Sequence, residues 1–267
     1  MLAQETPVRN RLLNALPERD LDALRPHLEP VPLKARRVLH HWNTPMEQVY
    51  FVEAGLVSVS ARIEPDAAVE VWLIGCEGMT GIPVVLGGDD APLHRRVVQV
   101  DGSALRISSA NLRGAMEVLP ALRALLLRYV QVVLLQASQA GACRASHTLQ
   151  QRLTRWLLMA HDRVADDALP LTHDLLARLL GVRRASVTDR LTALEDAGAL
   201  EKGRGRIVVA DRSKLEQLTC GCYRTIRAEY DRLARAPERE RRELGPKNRP
   251  AKPGSEAVAP RRRKGVP

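Results

Sequence analysis

Within eight residues the chain reads Arg183-Arg184-Ala185-Ser186-Val187-Thr188-Asp189-Arg190. Three guanidinium groups and two hydroxyls fall together, and they are hydrogen-bonding groups rather than an activated nucleophile. The chemistry they suit is recognition of nucleic acid. A planar guanidinium such as that of Arg184 can bridge guanine O6 and N7 in a major groove. Ser186 and Thr188 can reach phosphate or base, and the amides of a helix N-terminus favour a phosphate beside them. Lys202, Arg204 and Arg206 follow around Gly203 and Gly205. Cations on such a turn meet a phosphate backbone without reading sequence.

The elements that would hold these groups are legible nearby, in LLARLLGVRRASVTDRLTALEDAG, residues 175 to 198. Thr172 is placed to cap a helix over 173–180, with Leu175, Leu176, Leu179 and Leu180 as its apolar face. Gly181 permits the left-handed backbone that stops this helix and turns the chain sharply. A second helix then runs from about 184 to 197. Val187, Leu191 and Leu194 recur at helical spacing and point to the core, which turns Arg184, Ala185, Thr188 and Asp189 towards the other side. That is the part of a recognition helix that meets base edges. EKGRGRIVVA gives two short strands about a Gly-rich turn, and a last helix begins near Ser213. A helix-glycine-helix alone also describes an ordinary core pair; the arginines and the basic hairpin are what favour DNA.

The rest of the chain divides by pattern. Residues 8–28 form short helices punctuated by Pro17 and Pro26. From about 31 to 108 short alternating runs such as QVYFVEA, LVSVSARI and AVEVWLIG predict strands of a small antiparallel roll. Gly55 is expected to make a tight hairpin, and Gly87-Gly88-Asp89-Asp90 and Asp101-Gly102 further turns. SSANLRGAMEVLP is a short Ser-capped helix. PALRALLLRYVQVVLLQASQAGACR is a long helix on which Leu122, Leu126, Tyr129, Val133, Gln136 and Ala140 make a heptad stripe, expected to pair with a second copy. The fold class is therefore α+β. A β-roll with flanking helices spans 1–118, a long dimerisation helix 119–145, a helical domain with a small hairpin 146–234, and a basic tail 235–267. The tail holds eleven Lys/Arg against four Glu and almost no large apolar residue. It is expected to be disordered, and it accounts for most of the net charge of +10.

Other chemistries find little support. No GxSxG, P-loop or GxGxxG occurs, and an enzyme is not expected. His40 and His41 point to opposite faces of a strand, so they do not form a cupin-like ligand pair. Cys76, Cys143, Cys220 and Cys222 are scattered along the sequence, which argues against an iron–sulfur cluster, and no metal is expected. No run of about 18 uninterrupted apolar residues argues for a membrane span. The polar start, MLAQETPVRNRLLNAL, lacks a secretory core, so a cytoplasmic location is expected.

At this point the residues carry a resemblance. LPLTHDLLARLLGVRRASVTDRLTALEDAGALEKGRGRIVVADRSKLEQL resembles the winged helix-turn-helix of the Crp/Fnr family of bacterial transcription regulators. VYFVEAGLVSVSARI and WLIGCEGMTGIPVVLGG are similar to that family's cyclic-nucleotide-binding-like roll. The resemblance covers about residues 10 to 225. It implies a homodimer, a palindromic double-stranded DNA operator, RNA polymerase as a candidate partner, and a sensor coupled to DNA binding. Arg184 falls on the family's base-contacting arginine. Where the family often has Glu next and Arg four residues later, this chain has Ala185 and Asp189, with Arg190 displaced by one. The implied operator therefore differs from the family's commonest one. The segment matching the Gly-Glu-Leu of cyclic-AMP-binding members reads Gly81-Ile82-Pro83. The carboxylate that would accept from the ribose is missing, although His94, Arg95 and Arg96 supply cations in the same neighbourhood. Loss of such a charge-assisted bond costs about 1.5 to 3 kcal/mol, which argues against cyclic AMP and leaves the effector open. The alternative reading is a ligand-binding sensor without specific DNA binding.

Overall fold

The computed structural model describes residues 7–65, 67–87 and 91–243. After two short helices, α1 (Arg11–Asn14) and α2 (Glu18–Leu24), the chain enters a sheet of β1 (Glu29–Leu33), β2 (Val38–His40), β3 (Gln48–Glu64), β4 (Ala67–Ile74) and β5 (His94–Ser108). Every pairing is antiparallel, in the order β1-β5-β3-β4, with β2 also on β5. A helical turn, α3 (Ile82–Leu86), interrupts the path from β4 to β5. Leu33, Tyr50, Val52, Val57, Val59, Ile74, Val98 and Ala104 pack together inside the roll.

Gly55 and Gly102 do not turn the chain. They lie inside β3 and β5, which pair from Gln48↔Ser108 to Ala61↔His94, and the register shifts beside both glycines. Gly55 has φ +92, and a Cβ there would stand 2.7 Å from the Val100 carbonyl oxygen. A Cβ on Gly102 would collide with the Ala54 carbonyl. The two glycines thus let a long ribbon bulge and bend, a use of glycine that a sequence pattern does not separate from a turn. The Gly87 left-handed residue does end α3; residues 88–90 lie outside the described residues.

Helix α4 (Ser109–Val118) starts at Ser108, whose hydroxyl accepts from the Asn111 amide. Helix α5 (Pro120–Ser146) follows. It is long and apolar enough to cross a membrane by length and composition alone, but Leu122, Leu125, Leu126, Tyr129, Val132, Val133 and Gln136 are buried against the chain's own core. Five of the six stripe residues read as a dimer seam are among them, and Ala140 is half-buried. The outward face is instead Ala124, Leu127, Gln131, Leu134, Ser138, Gly141 and Ala145, all exposed and also spaced as a heptad. The helix is apolar on two sides, so periodicity finds the helix and does not choose the face.

Helix α6 (Leu149–His161) opens with a capping box between Thr148 and Gln151. After β6 (Ala168–Leu169) come α7 (His173–Leu180), α8 (Arg184–Asp196), β7 (Leu200–Gly203), β8 (Arg206–Val209) and α9 (Arg212–Leu218). The small sheet runs β6-β8-β7. A further helix, α10 (Cys222–Glu243), was not expected. Its buried Tyr223, Ile226, Tyr230 and Leu233 are spaced 3-4-3, a signal present in the sequence. The helix also runs through 235–243, a stretch read as disordered tail; the remainder of that tail lies outside the described residues.

Candidate nucleic-acid interface

The turn between α7 and α8 is built as its residues suggest. Thr172 accepts from the Leu175 amide, which satisfies an orphan donor of the first turn. Gly181 takes φ +65 at the end of α7. Leu176, Leu179, Leu180, Val187, Leu191 and Leu194 are all buried. Arg183, Arg184, Ala185, Asp189 and Arg190 lie on the other side, with Ser186 half-buried. Arg204 and Arg206 are exposed at the tip of the β7–β8 hairpin. The first turn of α6 borders this surface, since Thr148, Leu149 and Gln150 share a shallow cleft with Ser186, Asp189 and Arg190. Sequence reading missed that contribution because α6 and α8 are distant in the chain.

Several of the expected contact residues already have partners within the chain. Arg184 reaches Asp174 of α7 at 3.3 Å, with both side chains largely exposed. Such a pair is worth little and exchanges readily for another acceptor. Thr188 Oγ1 lies 2.9 Å from His173 Nδ1. Burial, with Arg184 and Lys202 nearby, lowers the His173 pKa, so a neutral ring joins α7 to α8. Lys202 Nζ pairs with Glu195 at 2.6 Å and donates to Thr192 Oγ1. It braces the hairpin against α8. Thr172 and Lys202 thus also have partners within the chain, and Arg183, Arg184, Arg190, Arg204 and Arg206 are exposed cations.

The expected effector residues separate by strand alternation. Arg96 and His94 lie on one face of β5, and Arg95 on the other. Arg96 is 1% exposed, donates to the His94 carbonyl at 2.6 Å, and has an unpartnered Nε. Burial pushes its pKa down to about 10. His40, opposite it on β2, is held neutral by burial and by Arg96, down to about 3, and bonds Thr80. Thr80 precedes Gly81, which is packed on Val49 and Met79, and Ile82-Pro83 open α3. The two groups of residues therefore approach through His40 and Thr80, with no carboxylate among them. Arg95 instead stacks on Trp42 at 4.2 Å and lines an open cleft of about 880 Å³ shared with Thr172 and Arg178.

The roll is bolted to the helices behind this surface. The Tyr129 hydroxyl of α5 donates to the Met79 carbonyl and accepts from its amide. Arg163, after α6, donates to Glu77 at 2.8 Å, both side chains buried. Glu70 of β4 accepts from Trp156 Nε1 of α6 at 2.6 Å. Burial raises Glu70 from 4.5 to about 8. Val69 of β4 also lies against the Gly181 turn.

Residues 151–218 match the Crp-like helix-turn-helix domain. Among solved structures, FixK2 from Bradyrhizobium japonicum is 18% identical, with a TM-score of 0.62 over 73% of this chain and 98% of its own. A Crp/Fnr-family transcriptional regulator from Thermus thermophilus, TTHA1359, is 22% identical, with a TM-score of 0.56 over 71% and 97%. The c-di-GMP-responsive global regulator CLP from Xanthomonas campestris is 18% identical, with a TM-score of 0.56 over 73% and 100%. No curated protein sequence matches the chain significantly.

Proposed function

We propose that this chain, with a Crp-like helix-turn-helix domain on the fold of the Crp/Fnr regulators, is a DNA-binding transcription regulator that works as a dimer in the cytoplasm. The observation that carries the reading is the exposed N-terminal half of α8, flanked by the Arg204–Arg206 hairpin tip and supported on a buried Leu/Val face. Arg184 reads a base after leaving Asp174. Arg183, Arg190, Arg204 and Arg206 hold the phosphate backbone. Ala185 and Asp189 give the operator its own sequence. The reading contains no catalytic step and no membrane contact.

A two-fold operator needs two recognition helices in fixed relation. The outward face of α5, with Leu127 and Leu134 exposed, is the face that supplies the seam. Leu134→Glu should turn a dimer into a monomer by light scattering and leave the circular dichroism spectrum unchanged. A dimer that survives this change would exclude the seam.

Signal transfer runs from the roll through Tyr129, Glu77–Arg163 and Glu70–Trp156 to the winged domain, as a shift in the population of its poses. Among the described residues Arg96 has an unpartnered Nε, which suits an anion, and Gly81-Ile82-Pro83 offers no carboxylate to accept from a ribose hydroxyl, in keeping with an effector other than cyclic AMP. A gel-shift series with the gene's own upstream region tests the function itself. A discrete complex that resists excess random DNA at moderate salt is expected. Binding no tighter than to random DNA would favour a sensor without an operator.

A further inference from the structure

The fold gathers three of the four cysteines that the sequence scatters. Cys143 lies on the last turn of α5, and His147 is the residue that ends that helix. They stand four residues apart, so their side chains share one face. Cys220 and Cys222 flank Gly221 where α9 gives way to α10. Across the join, Cys143 Sγ is 3.6 Å from Cys220 Sγ, and Cys222 Sγ is 3.6 Å from His147 Nδ1. All four donor atoms lie within 4.8 Å of one another, the cysteines buried and the histidine half-buried. The expectation of no metal-ligating cluster is thereby corrected, for a reason of tertiary structure: α10 folds back along α5.

We propose that Cys143, His147, Cys220 and Cys222 form a mononuclear zinc site. Three thiolates and one imidazole are a donor set that structural zinc takes. With Zn–S near 2.3 Å and Zn–N near 2.0–2.1 Å, the edges of the tetrahedron are about 3.5 to 3.8 Å. The two 3.6 Å separations already match such edges. An iron–sulfur cluster would hold its cysteine sulfurs apart around a larger body, and these donors are too close together for it. The surroundings suit the resulting charge. Gln139 Nε2 donates to Cys222 Sγ at 3.1 Å, and the buried Arg155 guanidinium acts electrostatically on both Cys143 and Cys222. On binding, each thiol releases its proton to solvent as its sulfur bonds the metal, and no electron is transferred.

The site spans the point where α5 hands over to α6, at Ser146–Thr148. Zinc there would pin the end of the long helix to the join between α9 and α10. That consequence rests on the DNA-binding reading; the site itself does not.

The test is metal analysis of the full chain purified under reducing conditions. About one zinc per chain is expected. Cobalt(II) added after chelation should give the intense d–d bands of a tetrahedral thiolate site. Cys222→Ser and His147→Ala should lose the metal, while Cys76→Ser keeps it. Gln139→Ala should retain the site with about 10- to 100-fold weaker affinity. His147 is half-buried, so its variant keeps the test valid if a cysteine variant does not fold. A chain without metal and with octahedral cobalt would overturn the proposal. So would iron with acid-labile sulfide, or a Cys143–Cys220 disulfide in place of zinc. None of these readouts involves DNA, so failure of the operator reading leaves the zinc assignment intact.

Discussion

The chain carries its positive charge in two ways. In the winged domain Arg184, Arg190, Arg204 and Arg206 stand in solvent on a helix and a hairpin tip. In the roll and at its junction with the helices, Arg96, Arg155 and Arg163 are buried. An exposed guanidinium costs the fold little and stays available to a polyanion. A buried one must be compensated inside the protein, and its neighbours then depend on it. The first arrangement is for binding from outside. The second ties the roll to the helices behind it, because Arg163 and Glu77 come from different sides of that junction.

The contrast can be broken at either end. The largest effect should come from Glu77→Ala, which leaves Arg163 buried without its carboxylate and costs about 3 to 5 kcal/mol. Urea unfolding measures it, and a loss under about 1 kcal/mol would mean that the pair is not needed by the fold. Arg184→Ala should do the opposite. It should weaken binding to the preferred site by about 1 to 3 kcal/mol and relax specificity there. Stability should change by less than about 0.5 kcal/mol. An equal loss on random DNA would reduce Arg184 to a phosphate contact. Arg206→Ala should weaken all DNA alike and lower the slope of log K against log salt by about 0.9 per protomer. A sequence-dependent loss would promote the hairpin to a reader.

A separate, pH-dependent effect belongs to Glu70. Burial raises it from 4.5 to about 8, so between those values the folded chain keeps a proton that the unfolded chain has lost. Its contribution to stability is fully present below the unfolded value and is lost as pH rises towards 8. Melting temperatures of the native chain and Glu70→Gln should therefore diverge in favour of the variant as pH rises from about 5 to about 8. Parallel curves would show that Glu70 is ionised throughout.

The helix-turn-helix was legible because its instructions are adjacent in the chain. The Thr172 cap, the Gly181 turn and the spacing of Val187, Leu191 and Leu194 each act over a few residues. The roll was legible only as a roll. Gly55 and Gly102 carry the signal of a turn, and only the pairing of β3 with β5 makes them a bend in a ribbon. On α5 the apolar pattern announced the helix, but Leu126 and Leu134 look alike to it. Which of them faces the chain's own core follows from where the roll and α10 lie. The internal partners of Thr188 and Lys202 were likewise invisible.

The sequence by itself determined the helices and their caps, the buried Val187, Leu191 and Leu194 face of α8 and the presence of an antiparallel roll. These depend on hydrogen bonds and side-chain spacings within one or two turns of the same element. Tertiary structure alone decided the outward face of α5, the bolting of the roll through Tyr129, Glu77 and Glu70, and the meeting of Cys143 and His147 with Cys220 and Cys222. Those contacts join residues far apart in the chain, and they exist only once packing has closed the loops between them.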